Sequence, residues 1–277
     1  EGHHQASAMA CALVLDDYDG EHPNSLDLVQ DAFHGSGRAA FMLVNGLSRD
    51  GGGHESPGYN RIKLDFIRVA RALEGVRTRR PDLFSTDEYP DLFGGDKARR
   101  LFDYFIDITI MDTFLPSIGD VGGIGAVSRH NPRLYSYLRE ENVYAFNRYG
   151  DPRHARAVSQ GELFEPYPDT ESMRNTLADP ASQIQRDSRI LDGYGLSILE
   201  SGEIEHRRAV MLNYTSLIGH RQCDNLTLEL YARGLDLLPD LGYPASWDYR
   251  WQWDANSLAH NTVTVDETQP AQDIGGQ

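Results

Sequence analysis

Two cysteines in 277 residues, Cys11 and Cys223, leave no room for a disulfide framework or a cysteine-rich zinc motif. Cys11 lies in an apolar stretch and reads as a buried small hydrophobe rather than a nucleophile. Positive charge is also scarce: 26 Lys and Arg stand against 42 Asp and Glu, a net charge of −16. A nucleic-acid partner requires a basic face that neutralises phosphates, so that class is excluded, and a strongly sulfated ligand is disfavoured. No apolar run approaches the roughly 20 residues that cross a bilayer, which removes the membrane as a partner. The opening Glu1-Gly2-His3-His4 lacks the basic start and apolar stretch of a signal peptide. No internal repeat is found. What is present, 40% hydrophobic and 10% aromatic residues, suffices for a sizeable core.

The chain changes periodicity once. Up to about residue 149 it reads as helices: 5–17, 24–47, 61–76, 97–114 and 133–149. Ile62, Phe66, Val69 and Leu73 lie on one helical stripe. From residue 190 onward the period is two, with strands expected at 191–199, 208–214, 226–231 and 262–266. Residues 150–189, with several prolines and many polar residues, read as a linker. Helices first and strands second predict an α+β chain with segregated parts: a helical toroid or solenoid, then an antiparallel sandwich.

Four clusters carry possible chemistry. Gly2-His3-His4-Gln5 opens the first helix with two imidazoles, which titrate near neutrality and bind protons, metals or anions. Asp50-Gly-Gly-Gly-His54-Glu55-Ser56-Pro57-Gly58-Tyr59-Asn60-Arg61 is a flexible turn that presents Tyr59 at a helix start. It lacks the Lys-Ser/Thr of a phosphate-binding loop. In Gly219-His220-Arg221-Gln222-Cys223-Asp224, an extended chain would put His220, Gln222 and Asp224 on one face. The last cluster runs from Pro239-Asp240-Leu241-Gly242-Tyr243 to Ser257-Leu258-Ala259-His260-Asn261-Thr262. Between these ends lie Trp247, Tyr249, Trp251 and Trp253, which suit stacking on the apolar faces of sugar rings or packing within a sheet.

Taken in order, these motifs resemble the heparinase II/III-like polysaccharide lyases: a histidine pair at a helix start, an Asp-Gly…Glu-x-Ser-Pro-x-Tyr loop, a His-x-x-x-Asp strand entry, an Asp-x-Gly-Tyr turn and a Ser-x-x-His-Asn-Thr-Val segment. The resemblance runs from His3 to Asp266. It implies residues 1–149 as the later part of an (α/α) toroid, 150–189 as linker and 190–277 as the first part of a β-sandwich. It implies an internal piece of a longer, secreted or periplasmic enzyme that cleaves uronate-containing, acidic glycans by β-elimination. Tyr59, His4 and His220 are then the catalytic candidates. His3, Arg61, Glu55, Tyr243, Tyr249 and Trp251 are the substrate-binding candidates. Several relatives hold a structural zinc, whose ligand positions fall here on Gln222, Asp240 and His260. Gln222 departs from the family's imidazole, and a neutral amide is a poor zinc ligand. A structural protein whose sheet packs the Trp patch would take all four clusters as turns but explains their order poorly, and two other readings stand beside the lyase. One is a noncatalytic glycan-binding relative; the other is a toroidal glycoside hydrolase, which would need paired carboxylates such as Asp50 and Glu55.

Overall fold

The computed structural model describes residues 2–34, 39–61, 66–121, 138–160, 170–215, 219–243 and 248–268. Its helices are α1 (Gly2–Leu15), α2 (Ser25–His34), α3 (Ala39–Asn45), α4 (Phe66–Arg79), α5 (Asp96–Ile108), α6 (Arg139–Tyr149), α7 (Pro152–Gln160) and α8 (Thr170–Thr176). Five strands follow: β1 (Arg189–Leu191), β2 (Leu196–Ser201), β3 (Arg208–Asn213), β4 (Leu228–Ala232) and β5 (Leu235–Asp236). The chain is α+β, as its periodicities predict. It divides into two compact units, Glu1–Gly53 with Asn60–Leu101, and His54–Tyr59 with Phe102–Gln277.

In the first unit, α2 begins with a reciprocal cap. Asn24 Oδ1 accepts from the backbone N–H of Leu26 and Asp27, and Asp27 Oδ2 accepts from Asn24 N–H. The first-turn donors are thereby satisfied at the point where the apolar stripe starts. α4 buries Val69, Leu73 and Val76, and a second buried group stacks Tyr18, Phe84, Tyr89 and Phe33 edge to face or tilted. Ile62 lies outside the described residues. Cys11, expected in the core, is exposed. α1 is apolar around most of its girth, and its buried side is set by Ala6, Met9 and Ala12, so Cys11 points outward with Val14 and Leu15.

In the second unit the strands form one antiparallel meander, β1-β2-β3-β4-β5. Its register pairs Ile198 with Met211 and Val210 with Leu230. Leu196, Ile198, Ala209, Met211 and Tyr231 fill one face, together with the buried carboxylates Glu200 and Glu229. The other face exposes Ile190, Leu199, Leu228, Leu230 and Leu235. Glu200 is gripped by Arg189 and Arg207 at 3.1 and 3.0 Å, and Arg207 continues to Asp112 at 2.8 Å. Burying ions is costly, and mutual pairing with hydrogen bonds is what makes it tolerable.

Two stretches differ from expectation. Residues 150–189 contain α7, α8 and a 3-10 turn at Pro180–Ser182. Asp151 caps α7 through Arg153 N–H, with Pro152 in the first helical position, and Ala155, Val158 and Met173 form a small core. Residues 262–266 form no strand beyond a single bridge at Val265. Side chains pin that segment crosswise instead: Asn261 donates to the carbonyls of Leu238 and Pro239, and Thr262 donates to that of Asn225.

Asp103, Asp151 and His154 bring ligand-type atoms within 4.8 Å of one another, but the Arg153 guanidinium already supplies the cation, 3.3 Å from Asp103 and 2.9 Å from Asp151. Burial pushes the Asp151 carboxyl up, but hydrogen bonds from Arg153 and the charge of His154 outweigh it and hold the group at about 2. A depressed carboxyl stabilises the fold above its unfolded pKa, and that stability is lost as pH falls through the native value. Asp151→Asn is therefore expected to lower stability at pH 7 by about 2 kcal/mol. It should also flatten the loss between pH 4 and 2, as read by urea denaturation across that range.

Candidate active site

The site in the second unit is built around Tyr59. Residues 54–59 run beside residue 219: Gly219 N–H donates to His54 O at 2.8 Å, and Glu55 bridges Gly219 in parallel. The Tyr59 ring lies flat on the His220 imidazole, with centroids 3.8 Å apart and planes 4° from parallel. The outer edge of that imidazole is fixed by Glu55, whose Oε2 lies 2.8 Å from His220 Nδ1. Gly219 makes this reach possible, because a Cβ there would stand 2.5 Å from the same Glu55 oxygen. The backbone of Glu55 is held by the Tyr194 hydroxyl, which donates to its carbonyl at 2.8 Å. Burial, then the neighbouring Tyr104 phenol, push Tyr194 far above the usual phenol range, so it serves as a hydrogen-bond donor.

His220 does not lie on an extended strand. Its φ of 53° is left-handed, a conformation that costs a non-glycine residue energy. The turn separates exposed His220 from buried Gln222 and Asp224, so the shared face expected for these three does not form. The turn is locked from the segment after α5. Asp120 N–H donates to His220 O at 2.7 Å, and Gly119 N–H donates to Asp224 Oδ2 at 2.6 Å. Burial, against the opposing charge of His260, raises the Asp224 carboxyl to about 6.

Beneath this turn lies a second polar layer. Buried Asp120 receives Gln222 Nε2 at 2.9 Å on one oxygen and Arg250 Nη2 at 2.6 Å on the other. Gln222 Nε2 also donates to Gly242 O at 2.7 Å. Asp240 takes Gly242 N–H on Oδ1 at 2.8 Å and faces His260 Nδ1 through Oδ2 at 2.6 Å. These bonds shape the turn that carries Tyr243 to the Tyr59 phenol. Tyr59 is held above its ordinary value, first by burial, then by Tyr243, with the charges of Asp120 and Glu55 adding to the effect. Its resting form therefore carries the proton.

Tyr59, His220, Glu55 and Tyr243 are thus brought together, and Gln222, Asp240 and His260 lie in the layer below. His4 is exposed on α1 and Arg61 is exposed, both in the first unit; of His3 only the helical backbone is described. Tyr249 and Trp253 are exposed at the π-type turn Arg250–Asp254; Trp251 is described in its backbone alone, and Trp247 lies outside the described residues. Asp120, Tyr194 and Gly119 were not singled out from sequence. Their partners lie more than 100 residues away, and the one local sign was the Gly-Asp pair ahead of Val121-Gly-Gly.

Helices leading into an antiparallel meander are the fold that this chain shares with solved structures of lyases. Residues 185–277 match the family model described as heparinase II/III-like, C-terminal. Among solved structures, the heparan sulfate lyase HepC from Pedobacter heparinus is similar at TM-score 0.62 and 16% identity, over 96% of this chain and 37% of that one. Heparinase III is similar at TM-score 0.67 and 16% identity, over 96% and 38%. A further heparinase III gene product gives 0.63 and 15%, over 96% and 36%. The chain thus spans under two fifths of the length of these lyases, and at such identities the likeness is one of fold. No curated protein matches the sequence.

Gly119 tests the lock on His220. Its φ is +68°, and a Cβ would stand 2.3 Å from His220 O. Gly119→Ala is expected to cost about 2 kcal/mol or more. It should also release the stack, seen as a change in the His220 imidazole NMR signals; unchanged signals with unchanged melting would refute the lock.

Proposed function

We propose that the protein to which this chain belongs is a lyase that cleaves uronate-containing acidic polysaccharides by β-elimination, leaving a 4,5-unsaturated uronate at the new non-reducing end. The observation that carries this reading is the flat Tyr59–His220 stack with Glu55 on the outer imidazole nitrogen.

The chemistry needs two proton movements. One is removal of the C5 proton beside a carboxylate, whose charge must be met because the developing enolate adds a second. The other is delivery of a proton to the departing glycosidic oxygen at C4. With its Nδ1 hydrogen given to Glu55, His220 keeps an Nε2 lone pair suited to take the C5 proton. Tyr59, held in its protonated form by burial and by the groups around it, is the donor to the leaving oxygen. Tyr249 and Trp253, both exposed, offer rings for neighbouring sugars. A hydrolase using Glu55 is disfavoured, because that carboxylate is spent on His220. Secretion or export to the periplasm accords with a polymeric substrate.

The test uses the full protein, a panel of uronate polysaccharides, and ultraviolet absorbance from the new conjugated double bond. Tyr59→Phe and His220→Ala should each lower the rate by about 100-fold or more. Glu55→Gln should lower it less and shift its pH profile, since it alters the base only through orientation. If folded enzyme binds glycan but yields no unsaturated product on any uronan, the lyase reading falls and a binding protein replaces it.

A further inference from the structure

We infer that the polar layer beneath the site is a metal-independent pin, in which the Gln222 amide and a direct His260–Asp240 hydrogen bond hold the turn that relatives brace with zinc. Zinc requires three or four lone pairs converging on one point, from imidazole, thiolate or carboxylate. The residues at the three ligand positions do not present them. Asp240 has committed Oδ2 to His260 Nδ1 at 2.6 Å and Oδ1 to Gly242 N–H at 2.8 Å. Gln222 turns its NH2 group to Asp120 Oδ1 and Gly242 O at 2.9 and 2.7 Å. Both partners are acceptors, so the amide's orientation is set by them, and residue 222 has only a neutral amide oxygen to offer a cation. The nearby carboxylate of Asp224 is occupied by Gly119 N–H at 2.6 Å.

The same contacts do the structural work of a metal. Gln222 joins the His220–Asp224 turn to Gly242 and to Asp120, and Asp240 joins Gly242 to His260. Four segments, at residues 120, 220–224, 240–242 and 260, are closed on one another, and Tyr243 leaves that closure toward Tyr59. Two buried atoms, His260 Nε2 and Gln222 Oε1, have no hydrogen-bond partner among the described residues. His260 Nε2 is the atom that a metal would recruit once residue 222 offered an imidazole. A single substitution, Gln222→His, would on this account rebuild a zinc site.

The experiment measures zinc by mass spectrometry in the full protein, its His260→Gln variant and its Gln222→His variant, each folded by circular dichroism, and records melting with and without a chelator. Wild type and His260→Gln should hold the same zinc, wild-type melting should ignore the chelator, and Gln222→His should gain one equivalent of zinc and a chelator-sensitive melt. An equivalent of zinc held by wild type and lost in His260→Gln would overturn the inference. So would a folded Gln222→His that takes up none. Should a variant not fold, wild-type zinc content and its melting response to the chelator decide alone. Neither readout depends on lyase activity.

Discussion

Among the described residues, the segment after α5 has no ladder beyond the bridge between Ile110 and Phe114, and three buried carboxylates supply what a ladder would. Glu200 takes the N–H of Met111, Glu229 that of Ser117, and Asp224 that of Gly119. Buried amides left without acceptors would each cost a few kcal/mol, on the order of 1–3. A carboxylate accepting from backbone N–H is one of the stronger hydrogen bonds available. Two of the three project from the sheet's buried face, where a hydrophobic residue would be the default. The sheet thus gives up apolar packing to fix one loop, and that loop carries Gly119 and Asp120.

Everything specific about the site follows from that placement. Asp120 offers its N–H to His220 O, and its side chain to Gln222 and Arg250. With His220 O pinned, the left-handed backbone at residue 220 is over-determined by its surroundings, as strained residues at functional positions are. The imidazole is then delivered to Tyr59 and Glu55 without relying on its own rotamer preference. The network from Arg189 and Arg207 to Glu200 and Asp112 anchors the start of the same segment. Its value lies less in net stability than in leaving one arrangement of that loop satisfied.

Much of this was legible in the sequence, unevenly. The change from helical to two-residue periodicity is local, and it correctly separated the helices from β1 to β4. The Gly-rich loop marked Tyr59, and Gly219-His220 marked the imidazole, because turns that need glycine announce themselves. The strand at 262–266 was misread because Thr-Val-Thr-Val has the right alternation, whereas the crosswise bonds of Asn261 and Thr262 depend on carbonyls over 20 residues away. The helices within 150–189 were missed because Pro152 suggested a break, although after Asp151 it is a helix start. Asp120 and Tyr194 were invisible for the reason that makes them useful: their partners are remote in sequence.

The polarity of the two sheet faces bears on how the site is used. The covered face sets the buried carboxylates Glu200 and Glu229 among apolar side chains, whereas the exposed face presents Leu199, Leu228, Leu230 and Leu235. An apolar surface of this size calls for a covering layer, and the sandwich expected from the family match has only one layer among the described residues. The site draws on the covered face and on the turn before β4: Glu229 and Glu200 from the sheet and Asp224 from the turn fix the loop, the loop fixes His220, and His220 meets Tyr59. A second layer on the leucine face would stiffen the strands without touching the Tyr59–His220 stack. The arrangement therefore gives the buried carboxylates the task of fixing the loop that holds His220 against Tyr59.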